Sequence, residues 1–269
     1  MHPRVSLHQV AMVDRETGPF LQFCCEIGVQ HATLVSPRLL QASALRAARE
    51  AVQHGSMRIG CINHPFALQP DLERHTEPAA NELMQVIDMA AELGAPSIYL
   101  ITGGRGALLW EQAAERFADL LAPCREHAAR QGVALLVENA SPLTVDIHIA
   151  HTLPDALRLA RLAEIGLCVD LHACWFEADL REKLAEALPL TGLVQVSDHV
   201  PGDRTTPCRA VPGDGAVPLE AILRDVLDLG YTGLFDLELL GPRIEAEGPA
   251  KACTRAAHTL SDLLTKLGA

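Results

Sequence analysis

Eight glycines divide this chain into units that repeat one pattern. Gly28, Gly55, Gly94, Gly132, Gly166, Gly192, Gly230 and Gly268 each follow an amphipathic stretch that reads as helix. After every one but the last, a short apolar run begins within a few residues. Glycine just past a helix end fits a left-handed cap, where a Cβ is penalised. Short apolar runs with little alternation fit parallel strands buried on both faces. The pattern predicts strands over 4–9, 31–36, 57–64, 97–102, 133–138, 166–171, 193–198 and 233–238. Helices are predicted over 17–27, 40–54, 78–93, 108–131, 153–164, 179–188, 218–229 and 248–267. Pro78 and Pro218 fall at helix starts, where a missing N–H costs little. Leu83, Val86, Ile87 and Ala90 form one apolar stripe along helix 78–93.

Eight alternating strand–helix units in 269 residues predict an α/β fold, a single (β/α)8 TIM barrel of parallel strands. The barrel is expected to occupy residues 1–269 as one domain with no linker. An open doubly wound sheet is disfavoured, because no GxGxxG follows the first strand. The GGRG at 103–106 follows the fourth strand but lacks the Lys-Ser/Thr of a phosphate loop. Residues 199–217 form the longest predicted loop, and its position past a strand end suggests a lid.

Composition narrows the function. Hydrophobic residues make up 49% and charged residues 21%, an ordinary globular balance. The net charge of −12 argues against nucleic acid as a main partner, since a phosphate-binding surface is usually basic. No apolar run is long enough to span a bilayer, so no membrane partner is expected. The N-terminus carries no secretory pattern, and the eight cysteines show no CxxC pair or zinc-finger spacing. Free thiols in a reducing cytoplasm are expected.

Four predicted strands end on residues able to bind metal. LLVENA carries Glu138, GLCVDLHACW carries Asp170, GLVQVSDH carries Gln195 and GLFDLELLGP carries Glu238. Each has an ordinary reading alone: a cap or ion-pair partner for Glu138, an anchor for Asp170, a buried amide for Gln195, a partner of Arg243 for Glu238. Together, at equivalent ends of consecutive barrel strands, they converge on one pocket. A buried carboxylate is costly unless paired or metal-bound, and clustered carboxylates repel. One divalent ion offsets that repulsion, and an all-oxygen set suits Mn or Mg better than Zn or Cu.

The chain resembles the xylose isomerase-like TIM barrels, the superfamily of sugar phosphate isomerases and epimerases that also includes endonuclease IV. The motifs that carry the likeness are VEN at 137–139, CVDLHACWFEADL at 168–180, VQVSD at 194–198, RAVPGDGAVPL at 209–219 and GYTGLFDLELLGP at 230–242. The resemblance implies metal ligands at Glu138, Asp170, Gln195 and Glu238. Many relatives have His where this chain has Gln195, and many have Asp-x-x-His where this chain has Ala173. His172 sits one place earlier and would face away if the strand continued regularly. Dimers or tetramers are common among such proteins, so a homo-oligomer is allowed.

A metal chelating a carbonyl and its neighbouring hydroxyl acidifies the adjacent C–H and stabilises the enediolate that forms. Glu138 and Glu238 are the candidate catalytic groups that remove and return the proton. Return to the opposite face gives epimerisation, and return to the neighbouring carbon gives isomerisation. Loss of a β-hydroxyl gives dehydration. The expected partner is thus a small polyhydroxy-carbonyl substrate for an isomerase or epimerase, with a dehydratase of a cyclic polyhydroxy ketone as the alternative. His8, His64, His172, His199, Arg209 and Trp175 are candidate substrate contacts. DNA repair is disfavoured, because the Asp-x-His it requires after the seventh strand is replaced by Asp203-Arg204-Thr205. A scaffold without turnover has no reason to keep three clustered carboxylates.

Overall fold

The computed structural model describes residues 1–74 and 77–269. Strands β1 (Val5–His8), β2 (His31–Val35), β3 (Arg58–Pro65), β4 (Ser97–Ile101), β5 (Ala134–Glu138), β6 (Gly166–Asp170), β7 (Thr191–Val196) and β8 (Leu234–Leu237) close in chain order into a barrel. All neighbours pair in parallel, and β8 pairs β1 to complete the ring. The helices are α1 (Thr17–Glu26), α2 (Ser36–Leu39), α3 (Ala42–Gln53), α4 (Glu77–Leu93), α5 (Trp110–Gln131), α6 (Leu153–Ala163), α7 (Leu171–Cys174), α8 (Leu180–Ala187), α9 (Leu219–Asp228), α10 (Pro242–Glu247) and α11 (Pro249–Leu267). The eight long ones match the predicted helices. The short α2, α7 and α10 carry too few residues to show a period. Among the described residues no helix is long and apolar enough to cross a membrane.

Alternation along each strand separates two apolar regions. Leu167 and Val169 of β6 point outward into the large core between strands and helices. Cys168 points inward and joins Cys61, Tyr99, Leu136, Leu193 and Leu234 inside the barrel. The inner cluster fills much of the barrel, alongside the buried Ser6, Thr33 and Asp236, and the upper end opens to the polar groups described below.

Six of the eight punctuating glycines adopt the left-handed backbone expected of helix caps. Gly166 and Gly192 do not. Helix α6 ends instead on Glu164, itself left-handed with φ of 53°. A Cβ on Gly166 would lie 2.6 Å from Leu136 Cδ2, and one on Gly192 would lie 3.0 Å from the same atom. These two glycines make room inside the barrel for the Leu136 side chain.

Candidate active site

Glu138 is the last residue of β5, Asp170 the last of β6, Gln195 lies in β7, and Glu238 follows β8. All four are buried. Carboxylate oxygens of Glu138, Asp170 and Glu238 lie within 4.8 Å of one another. Asn139 fixes the first two: its Nδ2 donates to the Asp170 carbonyl at 3.0 Å, and its Oδ1 accepts from the Asp170 N–H at 2.9 Å. Gln195 pairs in register with Asp170. Its two amide atoms make no well-formed hydrogen bond, although the amide is close enough to Glu138 to favour that residue's charged form.

Arg209 enters from the loop after β7. Its Nη1 donates to Asp170 Oδ1 at 3.0 Å and its Nη2 to Asp170 Oδ2 at 2.8 Å. Nη2 also ion-pairs with Glu238, and Nη1 reaches Ser197 Oγ at 3.2 Å. Arg243, the alternative partner of Glu238, pairs instead with Asp203, and Asp214 in the same loop pairs with Arg255.

That loop, whose position past a strand end suggests a lid, is tied down at its base and along its second arm. Asp198 and Ala210 form an antiparallel bridge with two hydrogen bonds of 2.8 Å. The Asp198 carboxylate accepts from the N–H groups of His199, Gly213, Gly215 and Val217 at 2.8–3.0 Å. A Cβ on Gly215 would fall 2.3 Å from both Asp198 Oδ1 and the His199 carbonyl oxygen. The second glycine of PGDG is therefore required by close approach, and its turn sets Arg209 in place.

Burial raises the Glu138 carboxyl well above the usual range, and the charges of Glu238 and Asp170 add to this while Arg209 opposes it. Burial also raises Glu238, with Arg209 opposing and Asp170 reinforcing. His148 Nε2 lies 3.3 Å from Glu138 Oε2, but burial pushes this imidazole down to about 3 and keeps it neutral. Three carboxylates therefore face one guanidinium. A divalent cation would balance the remaining two charges and give the idle Gln195 oxygen a partner. The donor set fits such an ion.

A hydrogen-bonded series supports Glu238 from below. The Val10 N–H donates to His8 Nδ1 at 3.0 Å, which leaves the His8 proton on Nε2. His8 Nε2 meets Tyr99 Oη at 2.8 Å, and the Tyr99 hydroxyl donates to Glu238 Oε1 at 3.2 Å. Burial lowers His8 to about 4, so the series is neutral up to the carboxylate.

A cavity of about 410 Å³ opens over these groups, lined among others by Asn63, Glu138, His148, Asp170, His172, Arg209 and Glu238. Of the predicted substrate contacts, Arg209 and His172 line it and His8 lies beneath it. His172 does not face away, because β6 stops at Asp170 and α7 begins at the next residue. His64 is a correction. Asn63 pairs with the inward Tyr99 and faces the cavity, so His64 points outward, with Nδ1 2.8 Å from Ser36 Oγ. His199 and Trp175 stack on each other with ring centroids 6.1 Å apart and are not among the lining residues. The first two glycines of GGRG serve packing: Cβ atoms on Gly103 and Gly104 would strike the backbone of Ala67 and Asp146. Asn63, Tyr99 and His148 were not predicted.

A closed parallel barrel with three carboxylates clustered at the ends of β5, β6 and β8 defines a class, and comparison agrees. The chain belongs to the xylose isomerase-like TIM barrel family, whose profile matches residues 22–259. It is distantly related to fructoselysine 3-epimerase of Shigella flexneri, 25% identical over 187 residues that cover 66% of this chain and 64% of the relative. The chain thus aligns with less than two thirds of that relative's length. Among solved structures, the IolI protein with a bound zinc atom superposes with a TM-score of 0.81 at 18% identity, covering 98% of this chain and 99% of the other. D-psicose 3-epimerase with D-tagatose from Clostridium cellulolyticum H10 superposes with a TM-score of 0.78 at 12% identity, covering 96% and 98%.

Proposed function

We propose that the protein is a divalent-metal-dependent isomerase or epimerase of a small sugar, keto sugar or related polyhydroxy-carbonyl compound. The observation that carries this reading is the pairing of Glu138 and Glu238, two buried carboxyls from non-adjacent strands, beside Asp170 and within 4.8 Å of each other. Glu138, Asp170, Gln195 and Glu238 would hold the ion, Mn or Mg by the chemistry of the donors. When bound, such an ion supplies Lewis acidity to a carbonyl and its adjacent hydroxyl.

The protein groups divide the remaining work. Glu138 and Glu238 have raised affinities for a proton, which suits one to accept and the other to donate near neutral pH. Tyr99 orients Glu238 through Oε1, and His148 stands against Glu138 Oε2. Arg209 presents a guanidinium to the cavity, a donor for carbonyl or hydroxyl oxygens. The names of the relatives, fructoselysine 3-epimerase and D-psicose 3-epimerase, support proton transfer beside a carbonyl.

The test is a panel of keto sugars, polyols and cyclic keto acids incubated in heavy water with protein and Mn or Mg. The expected result is an epimer or isomer carrying deuterium at the carbon that was deprotonated. A conjugated ultraviolet chromophore without epimer would replace this reading with dehydration. Absence of wash-in across the panel, in protein that binds no metal, would end it.

A further inference from the structure

A second set of donors stands beside the same cavity, with His172 and Cys208 on its wall and His199 behind them. His172 comes from α7, His199 follows Asp198, and Cys208 precedes Arg209. One ligand-capable atom of each lies within 4.8 Å of the other two. Cys208 Sγ is 3.8 Å from His199 Nδ1. In a tetrahedral zinc site, with metal–sulfur bonds of about 2.3 Å and metal–nitrogen bonds of about 2.0 Å, that separation is roughly 3.5 Å. The two imidazoles meet edge to face with centroids 5.5 Å apart. The Cys208–His199 pair is therefore close to ligation spacing, and a small shift of the His172 ring would complete the set.

An independent observation concerns His172. Its Nε2 is buried and has no hydrogen-bond partner, a costly arrangement for a ring nitrogen. The backbone that presents the three groups is fixed. Asp170 caps α7 through the His172 N–H at 3.0 Å, and the Asp198–Ala210 bridge clamps the segments that carry His199 and Cys208.

We propose that His172, His199 and Cys208 form a second metal site, selective for a soft divalent cation of the zinc type. One thiolate and two imidazoles favour such an ion, whereas the carboxylate site favours Mn or Mg. Three protein ligands leave one tetrahedral position open. His172 and Cys208 line the cavity, so a water or a substrate oxygen from it would be the nearest source of a fourth ligand. Cys208 is also joined directly to Arg209, so an ion here anchors the residue that grips Asp170.

The test uses the full chain stripped by chelator and titrated with Co(II). Wild type should develop a near-ultraviolet thiolate-to-cobalt absorption that zinc abolishes. The band should persist in Cys25→Ser, which removes an exposed thiol, and in Glu138→Gln, which disables the carboxylate site. It should vanish in Cys208→Ser and weaken in His199→Asn, a chain that keeps the thiol and reports independently should the serine variant misfold. After reloading with zinc, elemental analysis should find one more zinc per chain in wild type than in Cys208→Ser. Absence of the band, its survival in Cys208→Ser, or equal zinc content in both proteins would overturn the proposal. Because Glu138→Gln is read separately, failure of the carboxylate site leaves this outcome interpretable.

Discussion

Arg209 grips Asp170 at two points, at 3.0 and 2.8 Å, while its Nη2 also meets Glu238. One guanidinium thus serves as counterion to two of three clustered carboxylates. Replacing it in metal-free protein with Met leaves buried charge uncompensated. Arg209→Met should lose about 3–5 kcal/mol of stability without metal, and saturating Mn should recover much of it. Arg209→Lys keeps the charge but not the fork and should fall between. Urea midpoints with and without Mn decide. A metal-free Arg209→Met as stable as wild type would refute the counterion role.

Glu138→Gln and Glu238→Gln should each lower turnover by about 10²–10⁴-fold, the range for loss of a general acid or base. Neither should destabilise the metal-free fold, because each removes one member of a repelling set. Steady-state kinetics on the identified substrate, paired with thermal melts, separates this from simple unfolding. Full turnover in either variant contradicts the assigned roles.

Tyr99→Phe removes the hydroxyl that donates to Glu238. That hydrogen bond favours the ionised carboxylate, so its loss should raise the Glu238 pKa further. The limb of the pH–rate profile that reports deprotonation of Glu238 should then move to higher pH, with a stability loss of about 1 kcal/mol. An unmoved limb argues that Tyr99 only fills space.

The buried histidines should make stability fall as pH falls from neutrality. Burial holds His8 and His64 at about 4 and His148 at about 3. The ordinary value is near 6.5, so between about pH 6.5 and those values the unfolded chain binds protons that the native chain does not. The sign reverses for Glu138, whose raised value makes the metal-free native chain bind the extra proton, so its contribution is lost as pH rises above the ordinary carboxylate range. Denaturant titrations should show a flatter acid slope in His148→Asn and, with Mn present, a smaller loss as pH rises above the ordinary carboxylate range. Parallel curves for wild type and His148→Asn would contradict the first effect.

Gly166→Ala places a Cβ 2.6 Å from Leu136 Cδ2 and 2.8 Å from the Leu190 carbonyl oxygen. Overpacking of this kind should cost about 1–3 kcal/mol, read as a lower melting temperature, while metal stoichiometry stays unchanged. A neutral substitution would mean that the inner leucines yield easily.

The barrel was legible because apolar runs, helical stripes and terminal glycines agree on one eightfold alternation. The carboxylates were legible because each ends a run that has no other reason to hold a charge. What escaped the sequence turns on single-residue shifts. Asn63 and His64 occupy opposite faces of β3, so one step of register decides which meets the cavity. His172 depends on β6 stopping at Asp170, a boundary no residue type announces. His148 arrives from an irregular segment with no period to read. Gly166 and Gly192 resemble helix caps in spacing, and only the bulk of Leu136 reveals their other role.

The four main-chain N–H groups gathered by the Asp198 carboxylate bear on how ligands are chosen. A strap fastened this firmly presents Arg209 in its working orientation before any encounter, so little ordering entropy is left to oppose association. Discrimination must then come from shape and hydroxyl pattern at first contact, and not from a closing motion that rewards the correct guest.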